Sequence, residues 1–90
     1  MELKDTVEMM NSADYKERFK AEYHQTKTRC EKLNAFVNKI EAAEMMRHSI
    51  KPVAMPNHDC PLHLLKDQLS HMANYLHVLE IRAVIEGIEL

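Results

Sequence analysis

The chain reads as an all-α protein: a short N-terminal helix followed by a long antiparallel two-helix hairpin of coiled-coil type. Three observations predict this. Between residues 13 and 47 no Gly or Pro interrupts a run in which Phe19, Tyr23, Thr26, Cys30, Leu33, Val37 and Ile40 recur at alternating steps of four and three. That spacing keeps a narrow apolar stripe against one partner helix, whereas a strand needs period two. Leu62, Leu65, Leu69, Met72, Leu76, Leu79 and Ala83 repeat the same spacing in the second half. Finally, the chain holds one Gly, three Pro and no Trp in 90 residues, a composition with few helix breakers.

Residues 2–10 carry Leu3, Val7 and Met10 behind an acidic start, the pattern of a brief amphipathic helix. Asn11, Ser12 and Asp14 then break it. Either Ser12 or Asp14 can cap the next helix by accepting a bond from a free N–H, with Tyr15 at the corner. The long helix over about 13–47 should form a rod on the order of 50 Å at ~1.5 Å per residue. A lone rod of that length is marginal in water and needs a partner. Residues 48–60 lose the periodicity and contain Pro52 and Pro56, so they read as a connecting loop. Pro61 suits the first turn of the last helix, with Asp59 or Cys60 at its cap. That helix runs over 61–86, and Gly87 is its C-terminal stop.

A chain of 90 residues makes one domain with a thin core, for which oligomerisation is the usual remedy. The last helix carries its own indication of this. Beside its seam it bears a second apolar stripe, Val78, Ile81, Ile85 and Ile88, with Tyr75 and Val84 alongside. One partner helix cannot cover both faces, so these residues are expected to form a homo-oligomer interface.

The formal net charge is -2 and the pI near 6.3, which disfavours a general nucleic-acid or membrane coat. No apolar run has the length of a membrane span, and residues 1–10 lack the basic and apolar regions of a signal peptide. A cytoplasmic protein is expected. The two cysteines make no disulfide framework, as in a reducing compartment.

Basic charge is concentrated on the long helix, with seven Lys or Arg against three Glu between Tyr15 and Lys39. Lys16, Lys20, His24 and Lys27 fall on one flank of the seam. Arg18, Arg29 and Lys32 fall on the other, interleaved with Glu22, Gln25 and Phe36. Charge runs of this kind ordinarily form a solvated, salt-bridged face. The sharper reading is an anion site in which Arg or Lys hold phosphate oxygens and an aromatic ring stacks on a base. Tyr15, Phe19 and Tyr23 form an i, i+4, i+8 ladder, and of these Tyr15 at the helix start is the ligand candidate.

His58, Cys60 and His63, with His48 as a possible fourth donor, are weak metal candidates, because their spacing matches no standard zinc module. Cys30 sits in the seam as a small hydrophobe. There is no Gly-rich phosphate loop, no Ser-His-Asp order and no inward pair of carboxylates, so the chain reads as a binder, not an enzyme, and implies no cofactor.

The run Asp14-Tyr15-Lys16-Glu17-Arg18-Phe19-Lys20-Ala21-Glu22-Tyr23 resembles small helical proteins encoded by phages and prophages of gut Firmicutes. So do Glu31-Lys32-Leu33-Asn34-Ala35-Phe36-Val37 and the tail with Gln68, Met72, Tyr75, Leu79, Arg82 and Glu86-Gly87-Ile88. More distantly, a tyrosine at the helix entrance, a lysine ahead of Glu-Lys-Leu-x-Ala-x-Val and an apolar end to the second helix resemble the helical hairpin of phage sponge proteins. Those are the anti-CBASS and anti-Thoeris proteins, which oligomerise and sequester cyclic nucleotide signals of bacterial immunity. The resemblance implies Tyr15 as the ring-stacking residue and Lys27 as the phosphate contact, with Asp14 standing where that family has a glycine.

The expected function is therefore oligomeric capture of a nucleotide-derived immune signal in an infected bacterial cell. Tyr15 and Lys27 would carry it, with Arg18, Lys20, His24, Arg29 and Lys32 around them. The alternatives are a protein-binding inhibitor of the anti-CRISPR kind and a structural coiled-coil adaptor without a ligand.

Overall fold

The computed structural model describes residues 1–90 and contains helices and loops but no strand. A 3-10 turn over Leu3–Thr6 passes into α1, Val7–Met10; α2 covers Tyr15–Met45 and α3 covers Leu62–Glu86. All 14 residues of the two expected seams are buried or half-buried. α2 and α3 therefore meet along the stripes that the three-four spacing defines.

Four contacts set how the two long helices lie. Tyr15 near the start of α2 reaches Glu86 at the end of α3 (3.0 Å), and Tyr23 reaches Glu80 (2.8 Å). Glu22 accepts from Tyr75. Lys66 at the start of α3 pairs with Glu41 near the end of α2, at 2.9 Å.

The termini follow local chemistry. Asp14 is the residue that caps α2: its Oδ1 accepts from the Lys16 N–H at 3.0 Å. Ser12 supports it one step back, its Oγ accepting from the Asp14 N–H at 3.1 Å. The helix starts and ends two residues inside the expected 13–47, because the cap holds residue 14 in an extended conformation and the chain turns at Met46. α3 begins after Pro61, which lies outside the helix with ψ 145°. Its carbonyl accepts from the N–H groups of Leu64 and Leu65, and neither Asp59 nor Cys60 caps it.

The expected helix over 2–10 is a tight 3-10 turn joined to one turn of α-helix. Glu2 and Asp5 form a capping box there, and Thr6 Oγ1 donates to the Leu3 carbonyl at 2.6 Å. This segment lies on the face of α2 away from α3. Gln25 Nε2 donates to Thr6 Oγ1 at 2.8 Å, and Thr28 Oγ1 donates to the Met1 carbonyl at 3.0 Å. Ala21, on the same face at helical spacing, is fully buried, and its small side chain permits close approach.

The core is thin: 10 of 90 residues are buried. Phe19, Tyr23, Leu79, Ala83 and Ile88 form its main cluster, with Leu76 packed against it. Ile88 was expected on the outer stripe, and here it belongs to the chain's own core instead. Gly87 adopts φ 70°, a left-handed conformation open to glycine, and turns the chain back over the helix end. The Ile88 N–H then donates to the Ala83 carbonyl at 2.8 Å and its side chain tucks inward.

The molecule measures 54 × 24 × 20 Å, with a radius of gyration of 16.9 Å. A compact chain of this length would have about 12 Å, so this is a rod with much surface for its mass. Tyr75, Val78, Ile81, Val84 and Ile85 remain exposed on α3; Val84 and Ile85 keep 83% and 77% of their surface in solvent. No helix is long and apolar enough to cross a membrane.

Candidate functional site

The spacing of α2 decides which basic side chains can meet. Arg18, Glu22, Gln25 and Arg29 recur at helical intervals and share one flank of the seam. Together with Met10, Tyr15, Phe19, Thr26 and Arg82 they line a pocket of about 440 Å³. Three arginines thus line the pocket with one glutamate, Glu22, which is bonded to the Tyr75 hydroxyl, while Arg82 is paired with Glu86.

Tyr15 and Arg82 in the pocket's lining are ordered by a three-membered polar cluster with Glu86. Arg82 Nη2 donates to the Tyr15 hydroxyl oxygen at 2.6 Å, and that hydroxyl donates to Glu86 Oε1 at 3.0 Å. Arg82 Nε closes the ring on Glu86 Oε2, also at 3.0 Å. The Arg82 guanidinium lies 5.1 Å from the centre of the Phe19 ring, within cation–π range. The hydrogen bond to Glu86 raises the Arg82 pKa further, so it stays charged throughout the accessible pH range. Tyr15 and Phe19 stand with ring centres 6.2 Å apart and planes tilted by 58°.

Arg18 and Arg29 are differently placed. Arg18 Nη1 donates to the Ser12 carbonyl at 2.9 Å, and neither arginine takes part in any of the four ion pairs of the chain. Their charge is therefore not neutralised by a carboxylate. Such groups, set beside an exposed aromatic ring, can hold a phosphate and stack a base.

The structure brings Tyr15, Arg18 and Arg29 together and leaves the other sequence candidates elsewhere. Lys16, Lys20, His24 and Lys27 follow the opposite flank of α2. Lys27 lies ~18 Å along the axis from Tyr15 at helical rise, and its Nζ sits 5.9 Å from the Tyr23 ring centre. Within one chain the pair Tyr15 and Lys27 does not converge. Lys20 pairs with Glu17 at 3.5 Å. His24 is edge-on to Tyr23 at 5.3 Å, and burial together with Lys27, the terminal amine and Lys20 lowers its pKa. Lys32 lines neither pocket. Phe36 is in contact with the loop, edge-on to His58 at 6.3 Å.

Sequence reasoning did not single out Arg82 as a site residue. A usable signal was present: it is the one Lys or Arg after Lys66, set in an apolar run between Glu80 and Glu86. A lone cation at the margin of an apolar stripe commonly has an assigned partner.

His58 Nδ1 lies 2.8 Å from the Cys60 carbonyl oxygen. With His48 and His63 it forms no metal-holding group, since nowhere in the chain do three or more His, Cys, Asp or Glu side chains cluster suitably. Cys60 lines a second, mostly apolar groove of about 580 Å³ with Leu64, Asp67, Gln68, His71, Met72 and Tyr75. The Tyr75–Glu22 bond joins the walls of the two pockets.

No curated protein and no solved structure matches the chain. The model of one family, Sequestin, matches residues 13–85, which take in the cap at Asp14, both long helices up to Ile85 and the loop between them. With most of its length and both walls of the arginine pocket inside that match, the chain belongs to the Sequestin family.

Proposed function

We propose that this protein is a phage-encoded anti-defence binder that sequesters a nucleotide-derived immune signal, of the cyclic nucleotide type used by CBASS or Thoeris. It acts without turnover, in the cytoplasm of the infected cell. The observation that carries this reading is the pocket in which Tyr15, Arg18, Arg29 and Arg82 converge. Its two unpaired guanidiniums suit phosphate oxygens, and its exposed tyrosine suits a base. The family name is consistent with capture of a ligand, and the resemblance to phage sponge proteins supplies the ligand class.

The chain acts as a homo-oligomer of antiparallel hairpins. Support comes from the exposed α3 residues Tyr75, Val78, Ile81, Val84 and Ile85, which no other part of the chain covers. Assembly also offers a role for the opposite flank, because Lys27, Lys20 and His24 can reach an arginine pocket only from a neighbouring copy. Repetition by symmetry yields several equivalent pockets per particle, as stoichiometric capture requires.

Native mass spectrometry of the purified protein, alone and with cyclic di- and trinucleotides and cyclic ADP-ribose isomers, tests both parts. A discrete oligomer that gains one or more nucleotide masses is expected. An oligomer that gains nothing would shift the function to a protein partner.

A further inference from the structure

We propose that Arg82 is a phosphate-binding residue of the arginine pocket and that Glu86 is its built-in counter-anion, which a ligand phosphate must displace. The inference deepens the signal-capture reading and rests on it for the nucleotide part of the ligand. Its own basis is geometric. Arg82 is the only cation α3 contributes to the pocket, and it stands across from Arg18 and Arg29 of α2.

Glu86 holds Arg82 by a 3.0 Å ion pair and shares the Tyr15 hydroxyl with it. A carboxylate bonded to a guanidinium and a phenol occupies the same donor set that a phosphate oxygen would use. Glu86 is also the last residue of α3, where the helix dipole disfavours negative charge. Its carboxylate is thus stabilised chiefly by Arg82 and Tyr15, and the side chain is already about one third exposed. Arg18 and Arg29, on the α2 side of the same pocket, have no carboxylate partner.

The arrangement selects for charge density. A ligand with a single negative charge meets a tethered carboxylate at high effective concentration and loses. A pyrophosphate, with charge on two adjacent phosphates, can engage Arg82 and the α2 arginines together, and so displaces Glu86. The ligand class is therefore a nucleotide with at least two neighbouring phosphate charges, not a nucleoside or monoanion.

Isothermal titration of the intact protein with inorganic pyrophosphate and with cyclic ADP-ribose tests this on wild type, Arg82→Gln and Glu86→Gln. Circular dichroism and light scattering would verify fold and oligomer for each. Glu86→Gln should bind both probes about tenfold more tightly and Arg82→Gln at least about tenfold more weakly. Unchanged affinity in Arg82→Gln, or weaker binding in Glu86→Gln, would overturn the inference while leaving signal capture in place. Tighter pyrophosphate binding by Glu86→Gln, with no cyclic ADP-ribose bound by any form and no nucleotide mass gained in the native mass spectra, would uphold the inference and remove the signal-capture reading. Absence of binding of either probe by wild type and Glu86→Gln alike would overturn both.

Discussion

The Tyr23 hydroxyl donates to Glu80 Oε2 at 2.8 Å across the two long helices, while its ring lies buried in the cluster that holds Leu79 and Ala83. Burial, then the hydrogen bond and the charge of Glu80, push the Tyr23 pKa up to about 12. The sign of the pH effect follows. The unfolded chain loses this proton near pH 10 and the folded chain near 12, so the contribution is complete below pH 10 and lost as pH rises towards 12. Tyrosinate absorbance should show a component near pH 12 that Tyr23→Phe removes. The same variant should cost about 1 kcal/mol at neutral pH by denaturant unfolding.

His24 behaves in the opposite sense. Burial first, and then the charges of Lys27, the terminal amine and Lys20, lower its pKa below 6.5. Acid protonates the unfolded chain first, so stability falls as pH drops from about 6.5 through the folded value. NMR titration should place the His24 midpoint below 6.5, and Lys27→Gln should move it up. A His24 midpoint at or above 6.5 would contradict the packing of the N-terminal segment on α2.

Leu79 keeps 1% of its surface exposed, in a chain with few buried residues. Leu79→Ala should cost about 2–5 kcal/mol, a large fraction of the about 5–15 kcal/mol by which small domains are stable. Half-buried Leu33 should cost less on the same substitution, as read by denaturant midpoints.

Gly87 has φ 70° and open space where a Cβ would stand, so a substitution there meets strain and no clash. Gly87→Ala should destabilise by about 1 kcal/mol. Gly87→Asn should cost less, because Asn tolerates the left-handed region. A neutral Gly87→Ala in thermal unfolding would mean that Ile88 does not need this turn to reach the core.

Ile81, Val84 and Ile85 are exposed on α3. Replacing Val84 and Ile85 by Glu should yield a monomer of unchanged helicity, measured by light scattering and circular dichroism. A wild-type protein already monomeric at micromolar concentration would sink the oligomer proposal.

The seam was legible because it depends on local periodicity alone. Phe19 through Ile40 and Leu62 through Ala83 have a single face on which a rod can be buried, and the structure uses it residue for residue. The basic flanks were legible for the same reason, since side-chain direction on a helix follows from spacing. Three features lay beyond that reach. Whether Ser12 or Asp14 caps α2 turned on which residue takes the extended conformation, and Ile88 reaches the core only through the reversal at Gly87. The pocket needed the register of α3 against α2, which sets Arg82 and Glu86 beside Tyr15. A sequence read helix by helix determined which faces are apolar and which are basic. Only the tertiary structure decided which of those cations share a pocket, because residues 67 positions apart meet through packing and not through spacing.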